Sequence, residues 1–228
     1  MKVELLRHTK DPDLISALAA RSCRSEEGAS KLKDAEDKDY LKKVLKMTMD
    51  KGHTSVVEHA AFTFSIEGIS RACSHQLVRH RMASYSQQSQ RHIKPEEEKY
   101  VTPPSIGEDP EALERFEAAM EEAWDAYQDL AEEEDIPAED ARFVLPNATK
   151  TNIVVTMNAR SLINFFEQRT CMHAQWEIRA VANKMLEKVK EVAPTIFENA
   201  GPFCKWRGEC PEGDEDCELY GVYLEDSG

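Results

Sequence analysis

Residues 68–95 read GISRACSHQLVRHRMASYSQQSQRHIKP, a stretch that contains five Arg or Lys residues and no Asp or Glu. The whole chain has 228 residues and a formal net charge of −14, so this stretch is a cationic island in an acidic protein. Guanidinium groups that lie close together repel one another unless an anionic or polar group meets them. The island therefore predicts a binding site for a phosphorylated small molecule.

The composition is typical of a folded protein without a membrane span. The length fits one large domain or two small ones. No segment approaches the ~20 apolar residues of a membrane helix, and the N-terminus lacks the apolar core of a signal peptide. We therefore expect a cytoplasmic protein whose six cysteines are thiols. The acidic balance also disfavours a general nucleic-acid surface, since proteins of that kind are usually basic.

The glycines limit how a phosphate could be held. Only nine glycines occur, and neither GxGxxG nor GxxxxGK[ST] is present. A phosphate group would therefore be bound mainly by side chains and helix ends. Arginine suits this role because its planar guanidinium donates two parallel hydrogen bonds to phosphate. The alternative is that the island is a solvated basic loop paired with the acidic surface.

Hydrophobic periodicity and capping residues predict the elements before the island. Asp11 or Asp13 is expected to cap the first helix and Asp39 the second. The predicted elements are a strand at 1–7, a helix ending near Cys23, a polar and mobile loop at 25–38, a helix ended by Gly52, and a strand at 60–66 that Gly68 ends.

The island and the rest of the chain continue this mixture of helices and strands. Ser70 is expected to cap a helix that runs to about His80, and Ser161 a later one. The other predicted elements are a loop at 94–110, a long acidic helix at 111–134, a strand at 151–158 and a helix at about 173–192. Since the strands do not alternate regularly with helices, we expect an α+β fold with an antiparallel-type sheet flanked by long helices. The predicted domain covers 1–200, followed by an irregular acidic tail at 201–228.

Several short motifs resemble those of one enzyme family. Arg79-His80-Arg81, followed after seven residues by Ser89, is similar to the signature of the flavin-dependent thymidylate synthases. Other matching pieces occur in family order between Arg21 and Pro194. They are His53-x-Ser55-x-x-Glu58-His59, Gln76, Arg142 before Leu145-Pro146, Asn158-x-Arg160-x-x-x-Asn164, and Arg169-Thr170 followed by Ala174-Gln175-Trp176-Glu177-Ile178-Arg179.

The resemblance implies an activity, its cofactors and an assembly. Members of the family make dTMP from dUMP, with methylenetetrahydrofolate as carbon donor and with FAD reduced by NADPH. The resemblance also implies a homotetramer whose active sites lie at subunit interfaces. The implied dUMP site comprises Gln76, Arg79, Gln87, Ser89, Arg91, Arg142 and Arg169. The implied FAD site comprises Ser55, Glu58, Arg79, His80, Arg81, Asn158, Arg160, Asn164 and His173.

Three residues receive catalytic roles from the resemblance. Arg169 is expected to favour the N3 anion of uracil, because a nearby positive charge stabilises the deprotonated form of an acid. His53 is expected to lie beside the flavin and the folate. Ser89 is expected to donate a hydrogen bond from its hydroxyl group to the nucleotide. Gln87 departs from the family pattern, in which an acidic residue is expected. Arg71, His75 and Lys94 receive no partner and no role.

Some residues could also serve as nucleophiles or as metal ligands. Ser89 as a nucleophile needs an adjacent base, and the Arg-rich surroundings are expected to keep the neighbouring histidines cationic. Cys171 is more simply a small buried residue than a reactive thiolate. His53, Glu58 and His59 match neither HExxH nor HxxEH, so we expect no metal.

The tail contains three cysteines at positions 204, 210 and 217. Three thiols spaced six and seven residues apart do not complete a zinc site, which needs four ligands. A metal site or a disulfide in the tail remains an alternative, and a flexible tail of free thiols is the default expectation.

Two other functions remain open at this point. One is an RNA-binding or nucleotide-sensing module that uses residues 68–95, although the overall charge is negative and this stretch has no aromatic surface of the kind that reads RNA. The other is a flavoprotein of different chemistry on the same fold. Purification would separate these functions, because a flavoprotein is yellow.

Overall fold

The computed structural model describes residues 1–91, 99–133 and 136–224, which divide into two compact units. The first unit contains the described residues of 1–2, 66–79 and 86–153, and the second contains those of 3–65, 80–85 and 154 onward. The predictions for Lys94, for the first part of the 94–110 loop and for Glu134 lie outside the described residues.

The described chain forms a four-stranded sheet with the order β1-β2-β4-β3. The strands are β1 Lys2–His8, β2 Ala61–Ser70, β3 Ala83–Gln87 and β4 Lys150–Asn158. Thr63 bonds Thr156 through their hydroxyl groups, and the Gly68 N–H donates to the Asn152 side chain. Since residue numbers rise along β2 while they fall along β4, these central strands are antiparallel. The predicted α+β class and the antiparallel-type sheet are confirmed.

The helices follow in chain order. They are α1 Pro12–Ser22, α2 Ala29–Ala35, α3 Lys38–Asp50, α4 Arg71–Leu77, α5 Pro104–Gly107, α6 Pro110–Gln128, α7 Ala138–Ala141, α8 Ala159–Arg169, α9 Trp176–Val192, α10 Phe203–Arg207 and α11 Glu218–Tyr223. Shorter 3-10 turns cover Thr54–His59 and Arg142–Val144, and a π-helical turn, Asp129–Glu133, follows α6. Within the described ranges, no helix is both long enough and apolar enough to cross a membrane.

The core of the second unit lies against the buried face of the sheet. Phe62 and Phe64 alternate along β2 and are fully buried, as the strand period of two requires. The Phe62 ring meets Phe197 edge to face, with 5.5 Å between the ring centroids. Each such side chain stabilises the fold by about 1.5–3 kcal/mol relative to an exposed one. This packing fixes the part of β2 that belongs to the second unit, up to Ser65.

Gly68 does not end β2, contrary to the prediction. The strand continues to Ser70, and Gly68 sits inside it with φ +69°. Glycine adopts this left-handed conformation without the steric cost that a Cβ would add. Its N–H bonds the Asn152 side chain at 2.9 Å, so the chain stays attached to β4 through the irregularity.

The predicted mobile loop at 25–38 is also wrong, because it contains α2. Leu32 is the residue that fixes this short helix, with only 2% of its surface exposed. At the end of α2, Glu36 accepts a hydrogen bond from Arg21 Nε at 2.8 Å. A single buried leucine among polar residues gives no helical periodicity, so the sequence pattern did not indicate a helix.

Two predicted helix caps are displaced by two or three residues. Asp37, not Asp39, caps α3, and Asp39 instead provides one of the backbone N–H groups that are capped. Asn158, not Ser161, caps α8, because its Oδ1 accepts from Ser161 N at 2.9 Å. Both correct caps have the expected residue type for the position before the first helical residue. The predicted cap at Ser70 is confirmed, since its hydroxyl accepts from Cys73 N.

The first helix has no side-chain cap at its N-terminus. Asp11 precedes α1 in the left-handed conformation, with φ 48°, and makes no capping hydrogen bond. Asp13 instead accepts from the backbone N–H groups of Thr195 and Ile196 at 2.9 and 3.1 Å. The carboxylate thereby joins the start of α1 to the segment after α9.

In the described part of the island, residues 68–91, the end of β2 is followed by the short helix α4 and the strand β3. Helix α4 ends at Leu77 rather than near His80, so Arg79 and Arg81 lie beyond its end. Strand β3 then follows, with half-buried Ala83, Tyr85 and Gln87 alternating with exposed serines. The serine-rich composition hid this alternation from a reading based on apolar residues.

The described part of the tail, residues 201–224, is folded rather than irregular. It contains α10 and α11, and α10 packs against α8. Cys204 is buried there, and all six cysteines of the chain are free thiols. The expected free thiols are therefore confirmed, and the expected irregular tail is not. The domain boundary at residue 200 stays a prediction.

Candidate active site

The two predicted binding sets fall into different units. The dUMP set lies in the first unit with the exception of Arg169. The FAD set lies in the second unit with the exception of Arg79. Arg169 thus belongs to the unit that carries the residues predicted to hold FAD.

Two guanidinium groups of the first unit meet at the turn formed by α7. Arg91 donates to the Glu139 carboxylate, with 2.8 Å between Nε and Oε2. Arg142 Nε donates to the backbone oxygen of the same Glu139 at 3.1 Å. Two residues of the predicted dUMP set, 51 residues apart in sequence, therefore contact the same residue, Glu139.

Arg71 joins this cluster, although the resemblance assigned it no role. Its Nη2 donates to Gln90 Oε1 at 2.7 Å. Burial, and next to it the positive charge of Arg142, lowers the pKa of Arg71. A guanidinium that is half-buried beside another cation attracts anions. The signal that could have identified Arg71 was its place in the island, three residues after Gly68.

Gln87 is fixed by two hydroxyl groups of the first unit. Its Nε2 donates to Ser74 Oγ at 2.9 Å and to Thr151 Oγ1 at 3.2 Å. The Ser74 hydroxyl in turn donates to the Arg71 carbonyl at 2.9 Å. The amide nitrogen is therefore committed to the protein, and the Gln87 carbonyl oxygen is the atom that can accept a hydrogen bond from a ligand.

The other residues of the predicted dUMP set lie on α4 and in the turn after β3. Gln76 is half-buried near the end of α4, and its carbonyl accepts from the Arg79 N–H at 3.3 Å. The Arg79 side chain is exposed. Ser89 Oγ accepts from Arg91 N at 3.1 Å, an ordinary serine turn.

In the second unit, Arg169 and His80 meet across 89 residues of sequence. Arg169 Nε donates to His80 Nε2 at 3.1 Å, and the His80 ring packs edge to face on Phe165, with 4.9 Å between centroids. The contact fixes one edge of the guanidinium. Two residues from separate family motifs are thereby brought together.

His80 is neutral at pH 7, so the expectation of a cationic histidine is wrong. Burial, and next to it the charge of Arg169, lowers the pKa of His80 to about 4. Nearby positive charges disfavour the protonated ring rather than stabilise it. The neutral ring can accept the Arg169 hydrogen bond at Nε2. A group with this pKa is still a poor base for Ser89.

Helix α8 presents a polar face that begins at its N-terminus. Arg160 and Asn164 are exposed there, one turn apart. Arg160 forms an ion pair with Glu58, which joins α8 to the 3-10 turn Thr54–His59. Asn158, also in the predicted FAD set, is the cap of this helix.

The remaining residues of the predicted flavin and folate contacts are exposed. His53 precedes the 3-10 turn, and Ser55 lies within it. Arg81 is exposed after α4. His173 Nε2 lies 2.9 Å from Asp214 Oδ2, a contact with the C-terminal segment that no motif indicated. Within the described ranges, no group of three or more His, Cys, Asp or Glu side chains is placed to hold a metal ion.

The arrangement defines a class of protein. Its first unit combines several guanidinium groups with amide and hydroxyl groups, which is the chemistry of a phosphate-binding site. Its second unit carries a polar helix face and an arginine oriented by a neutral histidine. An α+β protein with these features is suited to bind phosphorylated, nucleotide-like ligands.

The comparisons with known proteins agree with this class. Residues 4–195 match the family model described as "Thymidylate synthase complementing protein". A flavin-dependent thymidylate synthase of Geobacter sulfurreducens is 53% identical over 219 residues, covering 95% of this chain and 94% of that protein. One from Sulfolobus acidocaldarius is 48% identical over 206 residues, covering 90% of this chain and 78% of that protein.

A solved structure is also similar. A UMP/dUMP methylase from Streptomyces cacaoi, bound with 5-Br dUMP, superimposes with a TM-score of 0.77 at 26% identity, covering 86% of this chain and 93% of that one. The chain belongs to the family of flavin-dependent thymidylate synthases. The predicted family is therefore confirmed, and so are the predictions of an enzyme and of a flavin cofactor.

Proposed function

We propose that the chain makes dTMP by reductive methylation of dUMP, with methylenetetrahydrofolate as carbon donor and NADPH as reductant of FAD. The relatives support the reaction, and the contact between Arg169 and His80 is the structural observation that carries the proposal. This contact brings residues of two family motifs together and orients the Arg169 guanidinium, which can stabilise a developing anion. Neither the RNA-binding module nor a different flavoprotein chemistry has comparable support.

The nucleotide phosphate would be bound by the cationic side chains of the first unit. Arg91 and Arg142 meet at Glu139, and Arg79 is exposed nearby in sequence to Gln76. A phosphate would compete with the Glu139 carboxylate for Arg91, since both accept from guanidinium N–H groups. Ser89 would add a neutral hydroxyl donor.

Arg169 would act on the pyrimidine ring. Methylation at C5 requires electron density on that carbon, and a positive charge near O2 and N3 favours the N3 anion that supplies it. His80 already accepts from Nε, so the terminal nitrogens of Arg169 are the donors available to the ring. The carbonyl oxygen of Gln87 would accept a hydrogen bond from the nucleotide in place of the carboxylate expected in the family.

The residues of the second unit fit a flavin nucleotide. A bound FAD needs cationic and amide donors for its phosphates and ring edge, and the exposed face of α8 offers Arg160 and Asn164. The other proposed contacts are Ser55, Glu58, Arg79, His80, Arg81, Asn158 and His173. His53 would lie beside the flavin and the folate. When bound and reduced, the flavin supplies a hydride, and the protein supplies binding and orientation.

Assembly and location are part of the same proposal. A homotetramer with shared sites is what the resemblance to the family implies, and Phe143, a large apolar side chain with 83% of its surface exposed, is the contact residue that we propose for it. A cytoplasmic location is supported by the six free thiols, since disulfides are rare in reducing compartments.

Purification and a spectral titration test the function. The purified protein should be yellow, should bleach with NADPH, and should change its flavin spectrum when dUMP is added. It should then form dTMP in the presence of methylenetetrahydrofolate. A colourless protein that gains no flavin spectrum from added FAD would contradict the proposal. Flavin binding without any dUMP-dependent change would favour a flavoprotein of different chemistry.

A further inference from the structure

The C-terminal segment 201–224 lies past the residues matched by the family model and contains none of the proposed ligands. Two of its side chains contact the junction between α8 and α9, where Arg169 and His173 lie. The segment therefore touches the part of the second unit that carries two predicted site residues.

The stronger contact is a bidentate ion pair between Arg207 and Glu167. Arg207 Nε and Nη2 donate to the two carboxylate oxygens of Glu167 at 3.0 and 3.1 Å. Glu167 is only 2% exposed, and a buried carboxylate is costly unless it is paired and hydrogen-bonded. The carboxylate raises the pKa of Arg207 through the hydrogen bond and the opposite charge. Removing Arg207 would leave Glu167 buried without this partner.

The geometry of α8 connects this pair to the site. Glu167 and Arg169 are two residues apart, so their side chains leave the helix about 200° apart. Glu167 faces Arg207, while Arg169 faces His80. The last turn of α8 is thus held from two nearly opposite sides. The final carbonyl groups of a helix have no partner within it, so the position of its last turn depends more on side-chain contacts of this kind.

A second contact lies just beyond the same turn. Asp214 Oδ2 lies 2.9 Å from His173 Nε2. His173 also lines a small cavity together with four thiol groups, those of Cys171, Cys204, Cys210 and Cys217. Burial raises the pKa of Cys204, which favours its neutral thiol. The buried Cys204 thiol therefore acts as apolar packing between the segment and the α8–α9 junction.

We propose that Arg207 is a positioning residue of the active site, which holds Arg169 in place through Glu167. Asp214 does the same for His173 with a weaker, exposed contact. This inference rests on the proposed function, because Arg169 is the residue assigned to the pyrimidine ring. The C-terminal segment accordingly helps to position Arg169 and His173 in the proposed active site.

The test is the variant Arg207→Ala in the purified FAD-loaded protein. We expect kcat for dTMP formation to fall roughly 10- to 100-fold, the effect of displacing a catalytic group by about 1 Å, while the FAD content stays normal. Arg207→Lys should recover part of the loss, since lysine restores the charge but not the two-bond geometry. Both variants are assayed well below their unfolding temperatures.

Arg21→Ala is the matched control. Arg21 also donates through Nε to a glutamate of the same unit, Glu36, at 2.8 Å, and neither residue belongs to the predicted site. This variant should lose stability but keep its kcat. Unchanged kcat and KM for dUMP in Arg207→Ala would overturn the proposal. If that variant does not fold, Glu167→Gln, which keeps the shape of the side chain, replaces it and should lower kcat in the same direction.

A second measurement does not depend on activity. The NMR signal of His80 is followed between pH 8 and pH 5 in protein labelled at histidine, and it is assigned by its loss in His80→Gln. In the wild type His80 should stay neutral throughout, because its pKa is about 4. In Arg207→Ala the pKa of His80 should rise above that of the wild type as Arg169 moves away, although only in part, because burial is the larger cause of the low pKa and remains. Arg21→Ala should match the wild type. A His80 signal unchanged by Arg207→Ala would overturn the positioning role, and absent dTMP synthesis in the wild type would refute only the proposed function.

Discussion

At the scale of single residues, the contact between Arg169 and His80 explains why an arginine-rich site can hold a neutral imidazole. Half-buried and beside a guanidinium, His80 cannot keep a proton near pH 7. It therefore accepts the Arg169 hydrogen bond instead of repelling the side chain. The nature of both residues was evident in the sequence, but the protonation state of His80 depended on its burial.

Arg169→Ala should abolish dTMP formation and retain FAD. We expect a loss of roughly 100-fold or more in kcat, the usual effect of removing a group that stabilises developing charge. Arg169→Lys is the control, because it keeps the positive charge but cannot reproduce the contact with His80. The variants are compared by dTMP formation and by the flavin absorbance of the purified protein. Loss of FAD in Arg169→Ala would assign Arg169 to the flavin site instead.

His80 should make stability depend on pH in a defined window. Its folded-state pKa of about 4 lies below the ordinary value of 6.5, so between these values the unfolded chain binds a proton that the folded chain does not. Stability should therefore decrease as pH falls from about 6.5 towards 4. Urea unfolding of the wild type and of His80→Gln at pH 7 and pH 5 measures this. The difference between the two proteins should grow in favour of His80→Gln at pH 5; equal pH dependence would contradict the assignment.

At the scale of elements, α8 carries more of the proposed site than any other helix described. Its N-terminus presents Asn158, Arg160 and Asn164, and its last residue is Arg169. The strand before it and the helix pattern after it were both evident from periodicity. The cap was misplaced, since both Asn158 and Ser161 are good capping residues and only the structure identifies the first helical residue.

Asn158→Ala should separate capping from flavin binding. Loss of a cap costs about 1 kcal/mol. Asp37→Ala is the matched control, because Asp37 caps α3 in the same unit and is not a proposed ligand. Both variants should lower the unfolding temperature to a similar extent, as measured by calorimetry. Only Asn158→Ala should weaken FAD binding; equal FAD affinity in the two would reduce Asn158 to a structural role.

At the scale of the whole molecule, the predicted ligand sets lie in two compact units of one chain. The strands β2 and β4 each contribute residues to both units. The apolar alternation along these strands predicted the sheet, whereas no local pattern indicated where one unit gives way to the other.

The proposed homotetramer should dissociate on dilution with loss of activity. Phe143→Ser removes a large exposed apolar side chain and should weaken association without disturbing the fold. Light scattering over a concentration series gives the assembly, and dTMP formation is measured in parallel. Exposed Met47 provides the control as Met47→Ser, since it is a large apolar side chain of α3 and is not a proposed ligand. A fully active monomer would contradict the shared sites.

The sequence by itself determined the strands β1, β2 and β4, the long helices, the residue types at the caps and the motifs that identify the family, because these depend on neighbours within a few turns of chain. Only the tertiary structure decided the neutral state of His80, the hydroxyl partners of Gln87 and the helix around Leu32. It also brought Arg207 to Glu167, 40 residues away. Burial and contacts between distant segments control these features, and local patterns do not record which faces will pack together.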